Sequence, residues 1–377
     1  MDLIIDSQDK DIIDICTRYW SHNNGQFNES VKDILKSYNN LKGLNSIVEV
    51  NCTAYSVITS CLTCGDKYIY KNRNDFKKTF NNEDDFIWEC DDCLYFQTKQ
   101  LEEAQRNELV SSYKTAIQHP VKIEELTVRE AVVLRSLILH LATEDMEYLE
   151  YLDQVDGEFS LSPLRDYSLE LLREMYRSSV ISIHPYISLN RINFTADLNF
   201  SFSLSEVPWL INIPEGKTME EFSIALSNKI SSLEYIEERP DEVMELCHEI
   251  SLKECISYLE YLGDEYGFDF KVGPKTLEAL NKVLAHFSVA QAYNFIWRAC
   301  KDAAAYYQRS QISKRQAANS IVGNIDRAID QALANNWDVK AYKRRYDAPQ
   351  SVISKVLFNH LLHTDDGGFN SKLTSLL

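Results

Sequence analysis

Four of the nine cysteines in this 377-residue chain are spaced to do chemistry together. Cys61-Leu-Thr-Cys64 and Cys90-Asp-Asp-Cys93 are two knuckles of the same form, with 25 residues between Cys64 and Cys90. A two-residue spacer lets both sulfurs of a knuckle face one point, so two knuckles offer four thiolates at the corners of a tetrahedron. A closed, all-sulfur set of this kind holds a structural Zn2+, because it leaves no position open for a substrate or a reactive water. His360 and His363, three residues apart and followed by Asp365-Asp366, form a second group that would share one face of a helix, without a Glu placed as base. His184, before Pro185 at the end of an apolar run, reads as a structural turn residue. Adjacent carboxylates such as Asp84-Asp85 and Asp365-Asp366 point apart in regular structure and make poor acid–base pairs. No phosphate loop, dinucleotide fingerprint or nucleophile elbow is present, so the expectation is a protein without catalytic activity.

The segments flanking the knuckles read as strands. Residues 58–60 lead into the first knuckle, Gly65 supplies a tight turn, Lys67-Tyr-Ile-Tyr-Lys71 alternates, and Phe86-Ile-Trp-Glu89 leads into the second knuckle. On these residues, 58–96 resemble the zinc-ribbon family at the level of fold. The resemblance implies metal ligands at Cys61, Cys64, Cys90 and Cys93, and no particular target. Cys52 is close enough in sequence to be a spare ligand, while Cys16, Cys247, Cys255 and Cys300 sit in apolar patterns and read as small core residues. Between the knuckles, Lys71, Arg73, Lys77 and Lys78 are interleaved with Tyr68, Tyr70 and Phe76, and Glu83-Asp84-Asp85 follow. This stretch is either a surface for phosphates and bases or, the better reading, a solvated connection whose aromatics close a small core.

The net charge of −18 argues against a protein that coats nucleic acid or an anionic membrane with its whole surface. The charge is uneven. Residues 301–355 carry ten Lys or Arg against five Asp or Glu, whereas the first 300 residues are strongly acidic. No apolar run is long enough to span a bilayer and the start lacks signal-peptide character, which predicts a cytoplasmic protein with no membrane contact.

The spacing of apolar residues predicts a mainly α chain in four parts. Residues 1–50 read as an N-terminal helical hairpin, with helices around residues 9–20 and 28–38 joined by the polar turn at His22-Asn-Asn-Gly-Gln, and 51–100 as the small β zinc ribbon. A polar connector helix is expected over 97–118. Residues 120–215 read as a winged-helix-like α+β domain: a capping box at Thr127 and Glu130, a helix from 164 to 177, then strands at 180–183 and 198–204. Such a helix would offer Arg165, Arg173 and Arg177 to a groove, although Asp166, Glu170 and Glu174 share it. Residues 218–377 read as an α-helical bundle, with helices at 275–287, 289–308 and 314–334 among others.

Two functional readings follow. In the first, the protein is regulatory or nucleic-acid-associated and contacts DNA or RNA through Arg309, Lys314, Arg315, Lys340, Lys343, Arg344 and Arg345, where Tyr342 and Tyr346 flank the basic triplet. In the second, it is a protein-interaction subunit of a larger assembly whose acidic body docks a basic partner, the zinc being purely structural. A bacterial antiviral role for that assembly is an expectation from the chain's general character and rests on no residue.

Overall fold

The computed structural model describes residues 1–38, 43–81, 86–155, 160–310, 312–346 and 348–376. The run Glu83-Asp84-Asp85 lies outside them. The chain is mostly helical with small antiparallel sheets and divides into two compact units, Met1–Ala104 and Gln105–Leu377. No described helix is long and apolar enough to cross a membrane.

The N-terminal unit joins what reads in sequence as two separate segments, 1–50 and 51–100. Strand β1 (Asp2–Ile5) pairs antiparallel with β4 (Cys52–Ser60), which pairs with β5 (Lys67–Tyr70), so the expected boundary at residue 50 falls inside one sheeted unit. Helix α1 (Lys10–Trp20) starts at Asp9, whose carboxylate accepts from the Asp11 amide. The polar turn after it is a β-hairpin, β2 (His22–Asn23) and β3 (Gln26–Phe27), not a plain helical connection. Its two tip residues, Asn24 and Gly25, both have positive φ, the requirement of the tight two-residue turn that matches strand twist. A side chain on Gly25 would also lie 2.6 Å from the Phe80 ring. Helices α2 (Val31–Ser37), α3 (Leu44–Asn51) and α4 (Arg73–Asn81) complete the layer, around a core that includes Ile15, Tyr19, Trp20, Ile34, Val48, Tyr70 and Phe76. The aromatics of the inter-knuckle stretch thus serve packing: Tyr70 and Phe76 are buried, and Tyr68 sits edge-on to Phe86 and Trp88. Arg73 is buried with them, stacked on Tyr19 and Phe27 and donating to the carbonyls of Tyr19, Glu29 and Arg18.

Helix α5 (Asp91–Ala116) is longer than the connector expected and begins at the second knuckle. In the C-terminal unit, α6 (Val128–Leu141) has the capping box Thr127–Glu130. After α7 (Leu152–Val155), helix α8 (Arg165–Arg177) precedes the first strand, as expected. The strands are arranged differently from the expected pair. Strand β6 (Ile181–Ile183) pairs with β9 (Trp209–Ile211), while β7 (Ile192–Phe194) and β8 (Phe200–Phe202) form a hairpin of their own. Three of the six charges of α8 are spent within the unit, Arg165 on Asp153, Glu174 on Arg129 and Glu170 on Lys253, while Arg173 and Arg177 are exposed with no ion pair among the described residues.

The remaining helices are α9 (Met219–Ile230), α10 (Leu233–Glu237), α11 (Pro240–Glu265), α12 (Pro274–Leu284), α13 (Val289–Arg309), α14 (Lys314–Ala334) and α15 (Val352–Ser354), the last continuing as π-helical turns through Lys355–Leu361. Capping boxes at Ser288–Gln291 and Ser313–Gln316 set the starts of α13 and α14. Helix α13 packs on α14 and α11, and its buried residues include the small Ala292, Ala299, Cys300 and Ala303. Helix α11 runs through the core with buried residues along its length, among them the carboxylate Glu254.

Candidate metal centre

The first knuckle is a turn between two strands. Strand β4 delivers Cys61, whose amide donates to the Asp66 carbonyl (2.7 Å), and Gly65, at positive φ, returns its amide to the Cys61 carbonyl (2.9 Å). The second knuckle is the first turn of α5, where the Leu94 amide reaches the Cys90 carbonyl (3.0 Å). Residues 86–89, read as a strand, form none, although the Leu62 amide bonds to the Trp88 carbonyl and ties the two knuckles together. Two ligands therefore come from a strand turn and two from a helix start.

The four sulfurs lie within 4.8 Å of one another, and Cys64 Sγ is 3.7 Å from Cys90 Sγ. A tetrahedron with metal–sulfur bonds of about 2.3 Å has edges of about 3.8 Å, so the set closes on a metal with little movement. Backbone amides already point at the sulfurs: Cys90 N–H at Cys61 Sγ and Cys93 N–H at Cys90 Sγ, both at 3.4 Å. Around them, Glu89 accepts from Thr63 Oγ1 and Gln97 Nε2, bracing one knuckle against the other. Amide donors from Cys64 and Cys90 hold the Cys61 thiol down to about 6. Cys64, despite an amide from Asp66 that lowers it, is pushed up to about 11 by burial and by sharing hydrogens with Cys61, and Cys93 is pushed up by its hydrogen bond to Cys90. Four adjacent thiols do not all ionise unaided; a divalent cation supplies the charge that lets them. Soft thiolates select zinc or iron–sulfur chemistry over magnesium or calcium.

Among the described residues this is the only group of three or more His, Cys, Asp or Glu with metal-binding geometry. His360 and His363 join no such group. Cys52 is not a fifth ligand: its thiol faces Cys16 in the N-terminal core, where burial pushes it up to about 12. His184 is a turn residue whose Nδ1 accepts from the Tyr186 amide.

The seven basic residues expected at a nucleic-acid surface divide. Arg309, Lys314, Arg315, Lys340 and Lys343 are exposed and take no ion pair among the described residues. Arg344 is turned inward: its guanidinium is 3.1 Å from the buried Glu254 carboxylate and 4.4 Å from the Phe369 ring, while Ser354 Oγ holds the other carboxylate oxygen at 2.8 Å. Arg345 stacks on Tyr261 and pairs with Glu265 at 3.7 Å. The triplet is thus one cation with no ion pair among the described residues followed by two engaged ones.

Two features escape a reading by motif. Leu94-Tyr-Phe96 places three consecutive apolar residues on α5, which no single helix face can cover; that run signals exposed apolar surface at the metal centre. Asn294, buried on α13 with Oδ1 unpartnered, carries no sequence signal at all. No family model, curated protein or solved structure matches this chain. What the fold and site define is a mostly helical chain with four cysteines gathered within metal-binding distance in its N-terminal unit.

Proposed function

We propose that this is a non-catalytic interaction protein whose N-terminal unit docks a partner protein through a surface built on a structural zinc, in the manner of a zinc ribbon. The observation that carries the reading is the apolar shell of the metal centre. Ile58, Leu62, Ile87, Leu94, Tyr95 and Phe96 are all exposed, Leu62 at 71%, Ile87 at 79% and Phe96 at 62%. Each lies within three residues of a ligand cysteine, so all six stand on the backbone that carries the cluster. Burying a large apolar side chain stabilises by about 1.5–3 kcal/mol relative to leaving it in water. Six left exposed together are the mark of a surface meant to be covered. Asp66, Asp91 and Asp92 lie within two residues of ligand cysteines in the chain and are exposed, without an ion pair among the described residues. An apolar centre with an acidic rim fits a partner that presents apolar side chains flanked by Lys or Arg. The nine free cysteines support a reducing, cytoplasmic setting, where thiolates stay available to metal.

A photo-crosslinking residue placed at position 87 of the full chain tests this. It is expected to give one discrete protein adduct in the native cell, lost when Leu62→Glu and Phe96→Glu are combined, with bound metal and circular dichroism unchanged. An adduct that survives the double change overturns the reading.

A second reading, association with DNA or RNA through the helical bundle, draws on the exposed cations that remain unpaired there, Arg309, Lys314, Arg315, Lys340 and Lys343.

A further inference from the structure

We propose that the bundle seats one nucleotide of a single-stranded nucleic acid in a cavity against α13, with the base stacked on Trp337 and the phosphate held by Arg298 and Lys340. The inference rests on the second reading and names its site.

The cavity has a volume of about 500 Å3 and is lined by Asn294, Arg298, Trp337, Asp338, Val339 and Lys340. Sites for small ligands run from about 300 to 1,000 Å3, which admits one nucleotide. Its wall is fixed to the helix. The segment after α14 turns at Asn336, in the left-handed region, and lies along α13 through three bonds: Gln291 Nε2 to the Val339 carbonyl (3.0 Å), Asn294 Nδ2 to the Lys340 carbonyl (2.8 Å) and the Tyr342 amide to the Ala290 carbonyl (2.9 Å). A rigid wall keeps the indole of Trp337 open, 39% exposed, with the Arg298 guanidinium 5.8 Å from its ring.

Arg298 and Lys340 are exposed cations with no ion pair among the described residues. Asn294, 8% exposed, serves the wall itself, its Nδ2 donating to the Lys340 carbonyl. A simple anion would use the cations and leave the indole idle, with Asp338 opposing it. An apolar ligand would use the indole alone. A nucleotide uses all of them: a planar ring for Trp337, amino hydrogens for Asp338, and a phosphate for Arg298 and Lys340.

The cations continue beyond the cavity. Arg298, Lys301 and Arg309 are three and eight residues apart along α13, offsets that keep them on one stripe about 16 Å long at 1.5 Å per residue. Lys301 also lies 4.8 Å from the Trp297 ring beside the cavity. A track of that length serves a chain of phosphates rather than a single one, which selects a strand over a free nucleotide.

Fluorescence anisotropy of the full chain with labelled DNA and RNA 12-mers, over a salt series, reads the site. Trp337→Ala is expected to weaken single-strand binding five- to hundredfold, the size of one lost stack, and Trp337→Tyr to restore most of it. Lys340→Glu should lower the slope of log K against log salt by about 0.7, as one phosphate contact is lost. Thermal melts of each variant separate lost binding from lost folding. Strand binding that is salt-dependent but indifferent to Trp337→Ala overturns this site and leaves the second reading standing; no binding at low salt overturns both. A mononucleotide that competes as strongly as the 12-mer overturns the assignment to a strand.

Discussion

Replacing Arg344 should cost the C-terminal unit stability, not ligand binding. Glu254 is buried on α11 at 3% exposure, and its two oxygens are taken by Arg344 and Ser354. Arg344→Met keeps an apolar stem but removes the guanidinium that pairs with Glu254 and lies on the Phe369 ring, leaving a carboxylate in the core with one hydroxyl for company. Breaking a buried pair from one side costs about 3–5 kcal/mol. The side chain of Arg344 is 18% exposed, so solvent relieves part of the penalty and about 3 kcal/mol is the working figure. For a unit of this size that is a fall in melting temperature of about 6–12 °C. Combining it with Glu254→Gln removes the stranded charge while keeping an acceptor for Ser354, and should recover at least half of the loss. Lys343→Met, at the exposed neighbouring position, should stay within about 0.5 kcal/mol of the parent. Calorimetric melts of the four proteins decide it: an Arg344→Met protein that melts within 2 °C of the parent would refute the assignment of this cation to the core.

Other outcomes follow from the N-terminal unit. Cys61→Ser removes the most buried sulfur of the cluster; bound zinc, read by elemental analysis, should fall from one equivalent to nearly none, and the unit should become sensitive to protease because metal binding contributes folding energy. Arg73→Lys exchanges a planar fork that serves three backbone carbonyls for a single ammonium; urea unfolding should show a loss of about 2–3 kcal/mol despite the conserved charge. Burial lowers the pKa of His22, which packs against Phe27, Phe76 and Phe80. Below the unfolded value of about 6.5 the unfolded chain takes up a proton that the folded unit refuses, so stability falls as pH drops from 7 toward 5. His22→Phe should flatten that limb in melts across the range, and an unchanged slope would assign it to another group.

The two knuckles were legible because metal ligands are local: each pair is set by a two-residue spacer, and only the distance between pairs is left to the fold. The helix on which the second knuckle stands begins at Asp91, ahead of the start expected at residue 97, and the acids Asp91 and Asp92 suit its first turn; the residues before it, Phe86-Ile-Trp-Glu89, alternate like a strand but form none. Helices α13 and α14 appear where the spacing of their apolar residues places them. What sequence could not show is pairing at a distance. Strand β1 is four residues whose partner lies some fifty positions on, and β6 skips the adjacent hairpin to pair with β9. Arg344 is the sharpest instance: between tyrosines and beside other cations it reads as surface, and only the fold brings it to a carboxylate 90 positions away.

The proximity that makes four sulfurs a ligand set also makes them a reactive dithiol pair once the metal is gone. Cys64, the exposed member, sits 3.7 Å from Cys90, and a disulfide needs only that this gap close to about 2.05 Å. A bound metal would therefore act as a protecting group for these thiols. Metal lost under reductant should be able to return, whereas metal lost in air is expected to leave a disulfide joining the two knuckles and excluding the metal. The centre would then keep a chemical memory of the conditions under which it was emptied.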